Sequence, residues 1–368
     1  MRKRPRVTAL ASEEPPIIFV HLGPTLPRHF LANLVRADRQ YAGNVVGLIE
    51  DSNAIADHTG TFKLVDIRNF YDPSRFRAVL ENSALDSRFR EGFWHKAIER
   101  FFVLAQFTEG RGISRYFHCE SDVLIFSIDG LATALDRFGQ QLFIPRDSKS
   151  RAIASLIYVN SPAALASLLA YIESSPVRTN EMEILASFMD EVTEDAIALP
   201  TLDTLDGVAE TAIGWKSLTT NDTGGLFDAA GIGQWVAGTD PRNSKKTTFN
   251  HFRNEMNAID FSELNARFDR AQNYFSLNMK HHAPKKVFNL HVHSKALLLF
   301  KSDRVISLLA KASNLRFSLP MNPGMLIQKF LLGSYFGQSR LKRRLDIFAR
   351  NIRAKGVFST NKSSFDSN

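Results

Sequence analysis

The sequence predicts an α/β protein: a mostly parallel central sheet flanked by helices, followed by a helical basic tail. Three observations predict it. Apolar strand-like runs alternate with segments of helical spacing through the first half of the chain, the order that βαβ units produce. Acidic residues cluster where the apolar runs end, and ligands of parallel sheets bind beyond the carboxyl ends of the strands. After about Ala312 the character becomes apolar and basic.

The elements follow in order. PIIFVHLG (Pro16 to Gly23) is an apolar run closed by a turn, as a buried strand reads. In LPRHFLANLVRADRQY, Leu31, Leu34 and Val35 fall on one side of a helix. NVVGLIED (Asn44 to Asp51) is a second strand ending in acids, and FKLVDI (Phe62 to Ile67) a third. FWHKAIERFFVLAQFTEG (Phe93 to Gly110) is a helix closed by glycine. Arg115 to Cys119 reads as a strand, LATALDRFG as a helix, QQLFIP and SRAIASLIYVNSP as strands, and AALASLLAYIESS as a helix. The block from Ala209 to Asn254 is rich in Gly, Thr, Asn and Asp and reads as loop-heavy, whereas KKVFNLHVHSKALLLF returns to strand and helix.

A chain of 368 residues with 44% hydrophobic and 23% charged content has the composition of a globular protein with one large core. No apolar run approaches the roughly 20 residues that span a bilayer. The start, MRKRPRVTALASEEPP, lacks the apolar stretch of a secretory signal and reads as a disordered lead-in. The single cysteine, Cys119, allows no intrachain disulfide and suits a reducing compartment. The net charge of +8 is concentrated at the ends: Arg2, Lys3, Arg4 and Arg6 carry +4, the stretch Leu331 to Lys355 carries +6, and the remainder carries −2. That distribution argues against a nucleic-acid partner for the body of the chain and gives the ends an affinity for anionic surfaces.

Two strings carry the most chemistry. In FHCESDVLIF, Glu120 and Asp122 bracket Ser121 at the end of a strand. On an extended segment residues i and i+2 project to one side, so both carboxylates could reach one hard divalent cation. A solvated turn with two acids is the plain alternative. In NLHVHSK, His291 and His293 alternate with apolar residues, with Lys295 two positions on. Imidazole as metal ligand and ammonium as diphosphate partner suit a nucleotide-diphosphate site; a hydrogen-bonded histidine pair at a sheet edge is the plain reading. The same string also looks like the opening motif of polymerase-and-histidinol-phosphatase type metal hydrolases, but it lies near the end of the globular region.

Further candidates are more diffuse. GGLFDAAGIGQWVAGTDPRN (Gly224 to Asn243) has glycines for close backbone approach, Asp228 and Asp240 for hydroxyls and Trp235 for stacking on a sugar; a surface loop is the alternative. Lys96 and Arg100, four apart on a helix, share a face that could meet phosphate or simply water. Glu181 opens another helix, where its charge suits the helix dipole. There is no G-x-S-x-G, H-E-x-x-H or zinc spacing, and Cys119 beside Glu120 does not read as a nucleophile.

IIFVHLG, FWHKAIERFF, FHCESDVLIF, GLFDAAGIGQWVAGTDPRN and NLHVHSK together resemble GT-A-fold glycosyltransferases of the bacterial surface-polysaccharide sort, over roughly Pro16 to Phe300. That family's hallmark is a D-x-D motif at a strand end; here Glu120 replaces the first acid. The resemblance implies a GT-A-like domain over 16–310, after a lead-in of 1–15 and before a helical basic extension of 311–368 with a disordered end. It implies Mn²⁺ or Mg²⁺ held by Glu120, Asp122 and His291 or His293, with a nucleotide sugar, UDP-linked, as donor. His21, Gly23, Glu50, Asp51, Arg100, Ser121 and Lys295 would hold that donor. Asp228 and Glu181 are the candidate bases for an inverting transfer, and a retaining one needs none. A hexosyltransferase-like activity toward a glycan or lipid-linked glycan is implied, in the cytoplasm. The helical face Leu341, Leu345, Phe348 and Ile352, with its arginines and lysines, would set the protein on the inner face of an anionic membrane, or would pack on the domain with its charged side in water. The rivals are a catalytically inactive binding protein of the same fold and a metal-dependent phosphoesterase using His291 and His293.

Overall fold

The computed structural model describes residues 14–50, 61–90, 92–174, 180–204, 215, 217–237, 264–279, 283–293, 295 and 297–314. Asp51, Asp240 and the basic C-terminal segment lie outside the described residues.

The first strands form as read, whereas SRAIASLIYVNSP, read as one strand, is divided into two, Arg151–Ala152 and Leu156–Val159. β1 (Ile17–His21) lies between β2 (Val45–Ile49) and β4 (Tyr116–Cys119), and β3 (Lys63–Asp66) lies outside β2, all four parallel. Beyond β4 the sheet continues through β8 (Leu156–Val159) to β6 (Leu142–Ser148), both steps antiparallel. Two reversals return β6 to the direction of β1, and β9 (Ala196–Leu199) pairs parallel beside it. A short β7 (Arg151–Ala152) closes a hairpin on β6. The sheet is therefore mostly parallel, in the order β3-β2-β1-β4-β8-β6-β7, with β9 on β6.

Alternation along the strands divides the core into two layers. Ile18 and Val20 of β1 face one layer, Ile17 and Phe19 the other. The first layer is covered by α2 (Ser74–Asn82), α3 (Phe93–Glu109), α5 (Pro162–Ser174) and α6 (Glu181–Glu191). α1 (Arg28–Gln40) and α4 (Leu131–Asp136) cover the second. Phe30, Leu34 and Ala37 of α1 recur at helical spacing and are buried there. Gly47 makes this packing possible, because a Cβ at that position would come within 2.9 Å of Leu34 Cδ1. α6 starts where the Asn180 side chain accepts from Glu183 N at 3.1 Å, a side-chain cap.

A third cluster holds the remaining elements: the short helix α7 (Thr220–Thr223), which packs on α4, leads to α8 (Gly231–Ala237) and the antiparallel sheet β10 (Leu264–Asp269), β11 (Tyr274–Met279) and β12 (Lys285–Val287). β13 (Asn289–His291) pairs antiparallel with β5 (Val123–Ile125), joining this layer to the main sheet. α9 (Leu297–Lys301) and α10 (Asp303–Ser313) complete it. No helix among the described residues is long and apolar enough to cross a membrane.

Candidate metal and substrate cleft

The chain between β4 and β5 is a tight turn rather than an extended segment: Val123 N donates to Glu120 O at 3.1 Å, the i to i+3 bond of a β-turn. The geometry expected from an extended i, i+2 pair is thus replaced, and the reason is that β5 leaves the main sheet to pair with β13. Three contacts fix the turn. Glu120 N donates to Ser155 O at 3.1 Å and Val292 N to Asp122 O at 2.7 Å. From α1, the buried amide of Asn33 donates to Ser121 O at 3.2 Å and Val123 O at 2.7 Å. Asn33 carries no motif and was not among the sequence candidates; a buried polar residue on an apolar helix face was the available signal.

Pairing of β13 with β5 sets His291 opposite Val123. One ligand atom each from Glu120, Asp122 and His291 then lies within 4.8 Å of the others. His291 Nε2 is 3.4 Å from Glu120 Oε2 and 3.6 Å from Asp122 Oδ1. The other ring nitrogen, Nδ1, is 2.7 Å from Ala229 O. A carbonyl only accepts, so Nδ1 carries the hydrogen and Nε2 is left to face the acids, the tautomer a metal-binding imidazole needs. Glu120 Oε2 is buried with no hydrogen-bond partner among the described residues, an oxygen that a cation would satisfy. Donor types and spacing therefore fit a hard divalent ion. Without one, burial works against charge on both Asp122 and His291. Lys295 and then His291 nevertheless hold the Asp122 carboxyl well below the usual range, and the nearby Asp122 carboxylate pushes His291 up to about 9.

His293 stands apart from this trio. The strand ends at His291, and His293 N donates back to His291 O at 3.1 Å. That turn folds the two rings onto each other, centroids 4.0 Å apart, in place of the shared strand face the spacing suggested. Lys295, at a left-handed φ of 50°, sends Nζ to within 3.2 Å of Asp122 Oδ2. An L-residue in this region is held there by its surroundings.

Arg100 of α3 is buried between two carboxylates. It donates to Glu120 Oε1 at 2.6 Å and also bonds Glu181 at the start of α6. Burial disfavours its charge, but Glu181 and Glu120 more than offset that and push its pKa up. Burial pushes the Glu181 carboxyl up to about 7 against the opposing pull of Arg100.

These groups line a cleft of about 620 Å³, with His21, His29, Ser121, His293, Lys295 and Lys96. Gly23 adjoins it, its Cβ position 3.6 Å from His21 Nε2 and 4.0 Å from Lys96 Nζ. Aromatic residues also line it: Phe89 and Trp94 stack at 5.3 Å, and Phe93 meets Trp94 edge-on at 4.9 Å. Glu50, at the end of β2, is not on the cleft wall. Trp235, proposed to stack on sugar, is buried in the third core cluster. A second hollow of about 580 Å³ along α1, between Arg28 and Arg39, holds no acid and no histidine.

Asp228 is also off the cleft wall. Its carboxylate accepts from Ile232 N at 2.9 Å, Gly233 N at 2.6 Å and His291 N at 2.8 Å. Burial pushes its carboxyl up to about 6, while these N–H groups pull the other way. This placement ties the first turn of α8 to β13 and buries the carboxylate that was considered as a base away from the cleft wall. Cys119 is buried, and burial pushes its thiol up.

The chain matches no family model and no curated protein. Among solved structures it is similar to the apo crystal structure of mouse xyloside xylosyltransferase 1, with 12% identity and a TM-score of 0.34 over 50% of this chain and 85% of that one.

Proposed function

We propose that the chain is a metal-dependent glycosyltransferase that moves a sugar from a nucleotide-diphosphate donor, UDP-linked, to a glycan or lipid-linked glycan. The observation that carries this reading is the convergence of Glu120, Asp122 and His291 Nε2 within 4.8 Å of one another, in a cleft beyond the ends of β1 and β4. Ligands of parallel sheets gather at such ends. A divalent cation bound there would supply stabilisation of the charge that develops on a departing diphosphate.

The chain's own residues do the rest. Lys295, a third exposed at its side chain, adds positive charge where the phosphates would lie, and Lys96 extends that charge toward the first-strand turn. The aromatic side chains Phe89, Phe93 and Trp94 give the cleft an apolar margin beside which a sugar ring would lie. In the transfer, the bond from the anomeric carbon to the phosphate oxygen breaks and its electron pair stays on the diphosphate. The acceptor oxygen bonds to the anomeric carbon and loses its proton. Of the two acids considered as bases, Glu181 is the one that lines the cleft, but it is buried and bonded to Arg100; a retaining transfer requires no dedicated base. The basic segment Leu331 to Lys355 would bring the enzyme to an anionic membrane carrying a lipid-linked acceptor.

A panel of nucleotide sugars tested by thermal shift with and without Mn²⁺ tests this. At a hundred times Kd a true donor stabilises the fold by about 2.7 kcal/mol, and the expected result is a shift that requires the metal and disappears in Asp122→Asn. Equal shifts with and without Mn²⁺, or release of phosphate from a phosphomonoester without any sugar donor, would contradict it.

A further inference from the structure

The two oxygens of Glu120 have different neighbours. Oε1 accepts from Arg100 at 2.6 Å, whereas Oε2 is buried without a hydrogen bond among the described residues and faces His291 Nε2 at 3.4 Å. Arg100 reaches this carboxylate from α3, a different element from the turn that carries the acid. Its second terminal nitrogen is held by Glu181 from α6. All three side chains are enclosed, at 10%, 14% and 5% exposure for Arg100, Glu120 and Glu181. A guanidinium fixed at both ends is a rigid fork, and a glutamate gripped at one oxygen loses little further rotamer freedom when the other oxygen is engaged.

We propose that Arg100 is a positioning residue for the metal site: held by Glu181, it grips Oε1 of Glu120 so that Oε2 is presented to the divalent cation. Arg100 acts through Glu120, not as a phosphate contact. The inference rests on the metal reading above. It also accounts for a glutamate at position 120 where the resembled motif has an aspartate, since the longer side chain meets both α3 and the cation.

Charge alone makes the opposite prediction. A cation this close to a metal site repels the metal, so removing Arg100 would tighten binding if it served only as a nearby charge. Positioning residues, by contrast, typically contribute roughly 10- to 100-fold in metal affinity.

The experiment is Mn²⁺ titration of the full chain by calorimetry, for the wild type, Arg100→Lys and the double variant Arg100→Met with Glu181→Gln. The double variant removes one positive and one negative charge and so preserves the net charge, leaving Glu120 with His291 as its charged neighbour; circular dichroism and thermal unfolding check its fold. The expected result is a roughly 10- to 100-fold loss of Mn²⁺ affinity in the double variant and a smaller loss in Arg100→Lys, which keeps one bond to Glu120. Unchanged or tighter Mn²⁺ binding in either folded variant would overturn the proposal while leaving the metal site standing. A wild-type chain without Mn²⁺ affinity would overturn the metal reading and this inference with it.

Discussion

Gly233 has no room for a side chain: a Cβ there would sit 2.1 Å from His291 O and 2.7 Å from Asp228 Oδ2. The backbone of α8 can therefore lie directly on β13, which delivers His291 to the acids. Gly233→Ala should cost about 2–3 kcal/mol through overpacking, measured as a lower urea midpoint, and should weaken Mn²⁺ binding as well; unchanged stability would mean that α8 does not press on β13. His118 makes a second residue-scale prediction. Its ring is fully buried on β4, with Nδ1 donating to Ile18 O at 3.0 Å, and burial with help from Arg100 lowers its pKa to about 3. The native state keeps this ring neutral, while the unfolded chain takes up a proton below about pH 6.5. Stability is thus full above that pH and falls as the pH drops toward the folded value, by up to roughly 4–5 kcal/mol. Acid unfolding followed by circular dichroism should show the loss, and His118→Gln should flatten it; an unaltered slope would assign the acid sensitivity to other groups.

At the scale of elements, the turn between β4 and β5 is the unit that matters, and α1 holds it through Asn33. Asn33→Ala leaves two carbonyls without their donor and should cost about 1–3 kcal/mol, with a parallel loss of Mn²⁺ affinity; a drop in stability with metal binding intact would separate the two roles. The apolar runs of β1, β2 and β4 and the helical spacing of α1 and α3 were legible because each is a strong local pattern. The reversed direction of β8 was not, since strand pairing is decided by distant partners. The hairpin β10–β11 was not picked out in the sequence: its alternation in LNARFD is plain only beside its antiparallel partner. The acids themselves were legible, but their turn was not. FHCESDVLIF reads as one apolar run with polar residues inside, and only β13, well over a hundred residues later, draws Val123–Ile125 off the first strand's line.

For the whole molecule, the site is a meeting of segments that the sequence keeps far apart: Arg100, the acids at 120 and 122, Glu181, and the run from His291 to Lys295. Residue types suggested what each could do, and the fold decides which of them meet. His291 joins the acids, while a single backbone turn stacks His293 on it at the cleft wall. Arg100, read as facing phosphate or water, is enclosed by carboxylates, and Asp228 is committed to backbone N–H groups. None of these outcomes was available from spacing, because each depends on contacts across core layers. The measurement that tests the central claim most directly is pulsed electron paramagnetic resonance of Mn²⁺ added to the full chain. One tightly bound ion with a nitrogen coupling from an imidazole, present in the wild type and absent in His291→Gln, is the expected spectrum. A chain that binds no Mn²⁺, or a nitrogen coupling that survives the loss of His291, would contradict it.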